Sequence, residues 1–186
     1  MEAIWISTGL VALAEIGDKT QLLAIVLAAR FRKPVPIILG ILAATLANHA
    51  LAAGFGYLIA QWLTGQVFQI GVAVAFIAMA AWTLVPDKAD DEAAERGAGG
   101  VFLTTLVAFF IVEIGDKTQI ATSLLAARFN EVLLVTIGTT LGMMLANVPA
   151  VLFGEAITRA VPLHVVRLIA ALIFLGLGLW ILIAAL

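Results

Sequence analysis

The chain has 186 residues, of which 63% are hydrophobic and 12% charged, with a formal net charge of −2 and no cysteine. Soluble domains average roughly 45–50% apolar and about 25% charged, and one core of this size could not hide so much apolar surface. The charge argues against nucleic acid as a partner and provides no polybasic lipid-binding segment, and the missing cysteines exclude disulfides and thiolate metal sites.

A spanning helix needs about 20 apolar residues, and stretches near that length recur at 3–29, 35–60, 67–85, 101–128, 132–158 and 165–186. The sequence therefore predicts an all-α polytopic membrane protein with six transmembrane helices. The start, MEAIWIS, lacks the basic residues of a signal peptide, and the first stretch carries Glu15, Asp18 and Lys19. It is expected to remain as the first helix rather than be cleaved. Between the third and fourth spans, PDKADDEAAERGAGG is charged, Gly-rich and too polar for lipid. This divides the chain into a first unit over 1–86, a solvated cytoplasmic linker over 87–100 and a second unit over 101–186. Trp5, Trp62, Trp82 and Trp180 read as interfacial anchors, and Pro149 predicts a kink in the fifth span.

The two units repeat one another. EIGDKTQ at 15–21 recurs at 113–119, an offset of 98. The same offset aligns Ala28-Ala29-Arg30-Phe31 with Ala126-Ala127-Arg128-Phe129, Gly40 with Gly138, Gly56 with Gly154, Phe76 with Phe174 and Trp82 with Trp180. Three crossings per copy would start the second copy on the opposite side, so the repeats are expected to be inverted. Arg30, Arg32, Lys33, Lys88, Arg96, Arg159 and Arg167 would then share one face, against Arg128 alone on the other. The positive-inside rule makes the first face cytoplasmic and puts both termini outside. Inverted repeats are a common scaffold of secondary transporters, with the substrate site at the midplane where the repeats meet.

Glu15 lies about 18 Å along the first span at 1.5 Å per residue, and Glu113 lies equally deep in the fourth. On an unbroken helix Glu15 and Asp18 would share a face, bordered by Lys19 and extended by Gln21; Glu113, Asp116, Lys117 and Gln119 repeat that layout. Left to lipid, these six ionisable groups would cost on the order of 15 kcal/mol. They must face each other, water or a cation. Two intrahelical Glu–Lys pairs could serve only to lock the bundle, yet they would leave Asp18 and Asp116 over. Carboxylate and amide oxygens suit Mg²⁺, Ca²⁺ or Mn²⁺, and Gln21, Gln119, Asn48 and Asn147 offer neutral oxygens. Without metal the crowded acids would repel and hold protons, so metal and protons would compete for the same oxygens. That competition is the minimum chemistry of antiport.

Gly17 and Gly115 admit two readings, close helix packing or local unwinding that bares backbone carbonyls. Thr20 and Thr118 could support such a distortion by bonding back to the helix. Asn48 and Asn147 sit mid-span but one residue out of register, which suits an interhelical hydrogen bond as well as a ligand. His49 is opposite Val148 in the second copy and reads chiefly as a packing or helix–helix residue, with proton relay as the alternative. His164 falls at an interface, and Met143 and Met144 read as core filling.

The hexapeptides Glu15-Ile16-Gly17-Asp18-Lys19-Thr20 and Glu113-Ile114-Gly115-Asp116-Lys117-Thr118 match E-x-G-D-K-[ST] twice. A chain with two such motifs, three helices to each, resembles the GDT-like family of cation exporters along essentially its whole length. The resemblance implies exchange of Mn²⁺ or Ca²⁺ for protons, with no cofactor and no enzymatic reaction. It carries over Glu15, Asp18, Glu113 and Asp116 as ligands and proton carriers, and Lys19, Lys117, Thr20, Thr118, Gln21 and Gln119 as supporting residues. The short linker resembles bacterial members, implying an inner-membrane location with lipid as neighbour. Competing readings are an exporter of another small solute, a passive cation channel or an intramembrane aspartyl protease built on Asp18 and Asp116. The sequence leaves monomer and homodimer open.

Overall fold

The computed structural model describes residues 1–85, 100–154, 156 and 162–186. Nearly all of the expected linker, with Lys88 and Arg96, and Arg159 near the end of the fifth expected span lie outside the described residues. The described elements are helices: α1 (Glu2–Glu15), α2 (Lys19–Phe31), α3 (Pro34–Trp62), α4 (Gln66–Thr83), α5 (Val101–Glu113), α6 (Lys117–Phe129), α7 (Val132–Phe153) and α8 (Leu163–Ala185). Among the described residues, α3, α4, α7 and α8 are long and apolar enough to cross a membrane, and α5 is a shorter apolar helix.

The expected helices over 3–29 and 101–128 are each interrupted at the repeated motif. Gly17 has φ +82° and Gly115 φ +76°, values that no right-handed helix can contain and that glycine tolerates without a Cβ penalty. Glu15 therefore ends one helix and Asp18 precedes the next, so the two do not share a helical face as an unbroken span would require. The same holds for Glu113 and Asp116. The second half-helix of each motif ends alike. Arg32 (φ 52°) and Asn130 (φ 57°) adopt the left-handed conformation and donate to the Ala28 and Ala126 carbonyls at 2.9 and 2.8 Å. Pro34 then opens α3, where its missing N–H is harmless. Pro149 is accommodated inside α7.

Helices from the two repeats pack into each other rather than beside each other. α1 lies along α7, and α5 lies along α3. At the first crossing a Cβ on Gly138 would stand 2.7 Å from the Ile4 carbonyl oxygen and 2.9 Å from Ser7 Cβ. At the second, a Cβ on Gly40 would stand 2.8 Å from Thr105 Cβ and 2.9 Å from the Phe102 carbonyl oxygen. Residue for residue, the two crossings correspond at the offset of 98. Close backbone approach of this kind is how helices associate where lipid removes the hydrophobic drive between them. α4 packs along α8, with the Phe76 and Phe174 rings 6.2 Å apart.

The outside of the bundle is apolar. Phe55, Leu58, Leu145, Phe153 and Ile183 are all more than half exposed, whereas the buried interior holds Glu15, Asp18, Asn48, His49, Glu113, Asp116, Lys117 and Asn147. This inversion of the soluble pattern, charge inside and hydrocarbon outside, marks a helical membrane protein.

Candidate functional site

Each motif builds the same local device. The Asp18 amide donates to the Glu15 carbonyl at 3.0 Å, and the Asp116 amide to the Glu113 carbonyl at 3.1 Å, closing a tight turn between the half-helices. Gln21 and Gln119 reach back from the first turn of the second half-helix, each accepting a glycine amide on its side-chain oxygen: Gly17 at 2.8 Å and Gly115 at 2.7 Å. This is the reach-back of a capping box moved one residue outward. The glutamine oxygens, which the sequence offers as neutral ligands, are thus engaged in holding the break. Asp18 and Asp116 occupy the N-cap positions by backbone conformation, yet neither side chain makes a capping hydrogen bond.

The threonines aim the glutamates. Thr20 Oγ1 donates to Glu15 Oε2 and Thr118 Oγ1 to Glu113 Oε1, each at 2.5 Å, and Thr118 also lies 3.4 Å from Asp116 Oδ2. Glu15 Oε1 and Glu113 Oε2 are buried and have no hydrogen-bond partner among the described residues. Glu15, Glu113 and Asp116 each present a carboxylate oxygen within 4.8 Å of the other two. Oxygens on opposite sides of one hard cation stand about 4–5 Å apart for bonds of 2.0–2.6 Å. The spacing therefore admits a single ion shared by both motifs. Asp18 is buried as well but is not part of this group of three.

Lys19 does not pair along its own helix. Its Nζ crosses to Asp116 Oδ1 of the other motif at 2.9 Å, which removes the expectation that Asp116 lacks a basic partner. The interrupted helix accounts for this, because the turn at Gly17 breaks the four-residue spacing that would set Lys19 beside Glu15. Lys117 Nζ donates to the Val85 carbonyl at 3.0 Å, at the C-terminal end of α4.

The two asparagines diverge. Asn48 bridges helices, donating to the Phe110 carbonyl on α5 at 3.1 Å and accepting from Gln119 Nε2 at 3.5 Å. Asn147 donates to the Met143 carbonyl and thioether of its own helix at 3.1 and 2.9 Å, while Gln21 Nε2 donates to the nearby Ala146 carbonyl at 3.0 Å. His49, read from the sequence mainly as packing, stands inside the site, with Nε2 3.5 Å from Glu113 Oε1 and no exposure to solvent. Its adjacency to Asn48 is the available signal, and the offset of 98 that aligns the motifs pairs it with Asn147 rather than Val148.

The motifs differ in cover. Gly17 is buried, with Leu163 at the start of α8 so near that a Cβ would meet its Cδ2 at 2.8 Å. Gly115 is exposed, with no described residue within 4 Å of where its Cβ would be. The residue related to Leu163 by the repeat is Gly65.

A helical membrane protein with an internal acidic centre drawn from two copies of one motif is the class that this fold and site define. The family model described as "Divalent cation/proton antiporter GDT1" matches residues 3–91 and 101–186. A Vibrio cholerae protein named "Putative manganese exporter" is 51% identical over 180 residues, covering 96% of this chain and 90% of its own. "GDT1-like protein 4" of Oryza sativa subsp. indica is 27% identical over 204 residues, covering 96% and 72% respectively. "GDT1-like protein sll0615" of Synechocystis is 27% identical over 186 residues and covers 89% of each chain. No solved structure gives a significant match. The chain belongs to the GDT1 family of divalent cation/proton antiporters.

Proposed function

We propose that the protein exports Mn²⁺ from the cytoplasm in exchange for protons, using the carboxylates of Glu15, Glu113 and Asp116 as the shared site for both. The observation that carries this reading is the meeting of three buried carboxylates from two separate motifs within 4.8 Å. Such a group is costly to keep charged in a low-dielectric interior. Either protons or a divalent cation relieves it, and each displaces the other. Thr20 and Thr118 hold one oxygen of each glutamate and leave the other without a hydrogen-bond partner among the described residues, Lys19 anchors Asp116, and the glutamine-stapled breaks keep the half-helix ends at the site. Asp18 serves on the approach to the site or as a further ligand once the motifs shift.

In this reading α1 with α2, and α5 with α6, each form one broken crossing, giving six in all. Units 1–86 and 101–186 are inverted copies joined by a cytoplasmic linker at 87–100. The chain sits in a bacterial inner membrane with both termini outside. All three carboxylates come from one chain, so the site needs no second copy. Rocking of one unit against the other exposes the acids to alternate sides, and the contrast between covered Gly17 and uncovered Gly115 supports access from one end at a time. The Vibrio relative's name favours manganese as the cargo. Calcium is the second reading, favoured by the oxygen-only character of the three acids.

The test is Mn²⁺ flux into proteoliposomes carrying an interior pH dye, comparing the native protein with Asp116→Asn. Mn²⁺-driven proton movement that falls at least about tenfold in the variant is the expected result. Fluxes that are equal in the two proteins, or insensitive to a pH gradient, would reject the antiporter site.

A further inference from the structure

We infer that His49 supplies a nitrogen ligand to the transported cation and thereby selects first-row divalent ions such as Mn²⁺ over Ca²⁺ and Mg²⁺. This rests on the proposed site and goes beyond its three acids. His49 is fully buried on α3, and neither ring nitrogen has a hydrogen-bond partner among the described residues. Its Nε2 lies 3.5 Å from Glu113 Oε1, too far for a good hydrogen bond. Two donors in adjacent positions on one octahedral ion with bonds of 2.0–2.2 Å stand about 3 Å apart. A shift of a few tenths of an ångström would bring nitrogen and carboxylate to that spacing.

A histidine kept only for packing would be expected to satisfy at least one nitrogen, because a buried polar atom left without a partner is costly. An incoming cation satisfies it directly. Glu113 Oε2, also without a partner among the described residues, is available on the same side chain. Ca²⁺ and Mg²⁺ take oxygen ligands, whereas imidazole is a ligand of transition metals, and Mn²⁺ accepts both kinds. One nitrogen among oxygens therefore tilts the site against the alkaline earths. The offset of 98 sets Asn147 at the corresponding position of the second copy, so a single imidazole serves both motifs.

Two measurements test this. Pulsed electron paramagnetic resonance of Mn²⁺ bound to the native protein in nanodiscs is expected to show ¹⁴N coupling of a directly bound imidazole. The one other histidine, His164, is exposed at the start of α8 and distinguishable by His164→Gln. Bound Mn²⁺ with an oxygen-only signature would overturn the assignment even if no His49 variant folds. In proteoliposomes, His49→Gln is expected to lower the Mn²⁺:Ca²⁺ transport ratio about tenfold, mainly through a higher KM for Mn²⁺. Equal losses for both ions would make His49 structural. Mn²⁺-driven proton movement without nitrogen coupling leaves the antiporter standing and removes His49; no proton movement with either ion removes both.

Discussion

Glu113→Gln is expected to lower Mn²⁺-driven proton movement by about 100-fold, and Glu15→Gln by nearly as much, with the double variant little worse than either. The amide keeps the shape and can still accept the Thr118 hydroxyl on its oxygen. It turns an N–H₂ donor toward the position where Glu113 Oε2 now has no partner among the described residues. A cation then meets a positive dipole where it needs an anion. Proton binding is lost at the same atom, so neither half of the exchange survives. Because the two glutamates would act on one ion as a unit, their losses should not add. In the native protein, raising pH on the loading side removes the competing protons, so the KM for Mn²⁺ should fall; in Glu113→Gln that dependence should flatten. A pH-dye assay with matched protein incorporation, alongside thermal unfolding in detergent, separates a lost site from a lost fold. A variant that unfolds normally and transports normally would remove Glu113 from the site.

Gly56→Ala is expected to cost about 3 kcal/mol or more, or to prevent recovery of folded protein. A Cβ at Gly56 would overlap the Ser123 carbonyl oxygen and lie within 2.8 Å of two further Ser123 backbone atoms. The obstacle is backbone on α6, not the flexible end of a side chain, so α3 and α6 must separate. That separation would also stretch the Ser123 hydroxyl's bond to the Ala52 carbonyl, now 2.9 Å, and pull at the neighbouring contact between Asn48 and Gln119. Gly54→Ala on the same helix is the control. Among the described residues, no atom outside its own helix turn lies within 4 Å of its Cβ position, and alanine is the better helix former by up to about 1 kcal/mol. Thermal melting in detergent should show a large drop for the first variant and none for the second. Equal melting temperatures would mean that the α3–α6 contact is looser than these distances imply.

The repeat was legible because both copies kept the same seven residues and the same flanking landmarks, so one offset aligns the motifs, the Gly40 and Gly138 crossings and the Phe76–Phe174 pair. The helix breaks were only half legible. Glycine in a membrane helix serves packing and unwinding equally well, and only the positive φ at Gly17 and Gly115 decides between them. Once the helix breaks, spacing arguments fail. Asp18 no longer shares a face with Glu15, and Lys19 turns to Asp116 of the other copy. Which acids meet depends on how α1, α2, α5 and α6 are brought together, and that is tertiary information absent from any single motif. His49 reads from the sequence chiefly as packing, with proton relay as the alternative, for a related reason: a histidine that occurs once has no repeated partner to mark it, even beside residues of both copies. Asn147, one residue out of register, turns back to its own helix while Asn48 bridges to a neighbour.

The Lys19–Asp116 pair has an electrical consequence. With three carboxylates and the Lys19 ammonium, the proposed site has a formal charge of −2 when neither cation nor proton is bound, and Asp18 and Lys117, buried in the same two motifs, carry opposite formal charges that offset each other. One divalent cation cancels the charge of the site, and so do two protons. On the proposed function, a carrier loaded either way crosses with the same net charge, and one-for-two exchange moves none. A potassium diffusion potential imposed across the vesicles should therefore leave the exchange rate unchanged. The lysine would thus confine the driving force to the concentration gradients and make the exchange indifferent to membrane voltage.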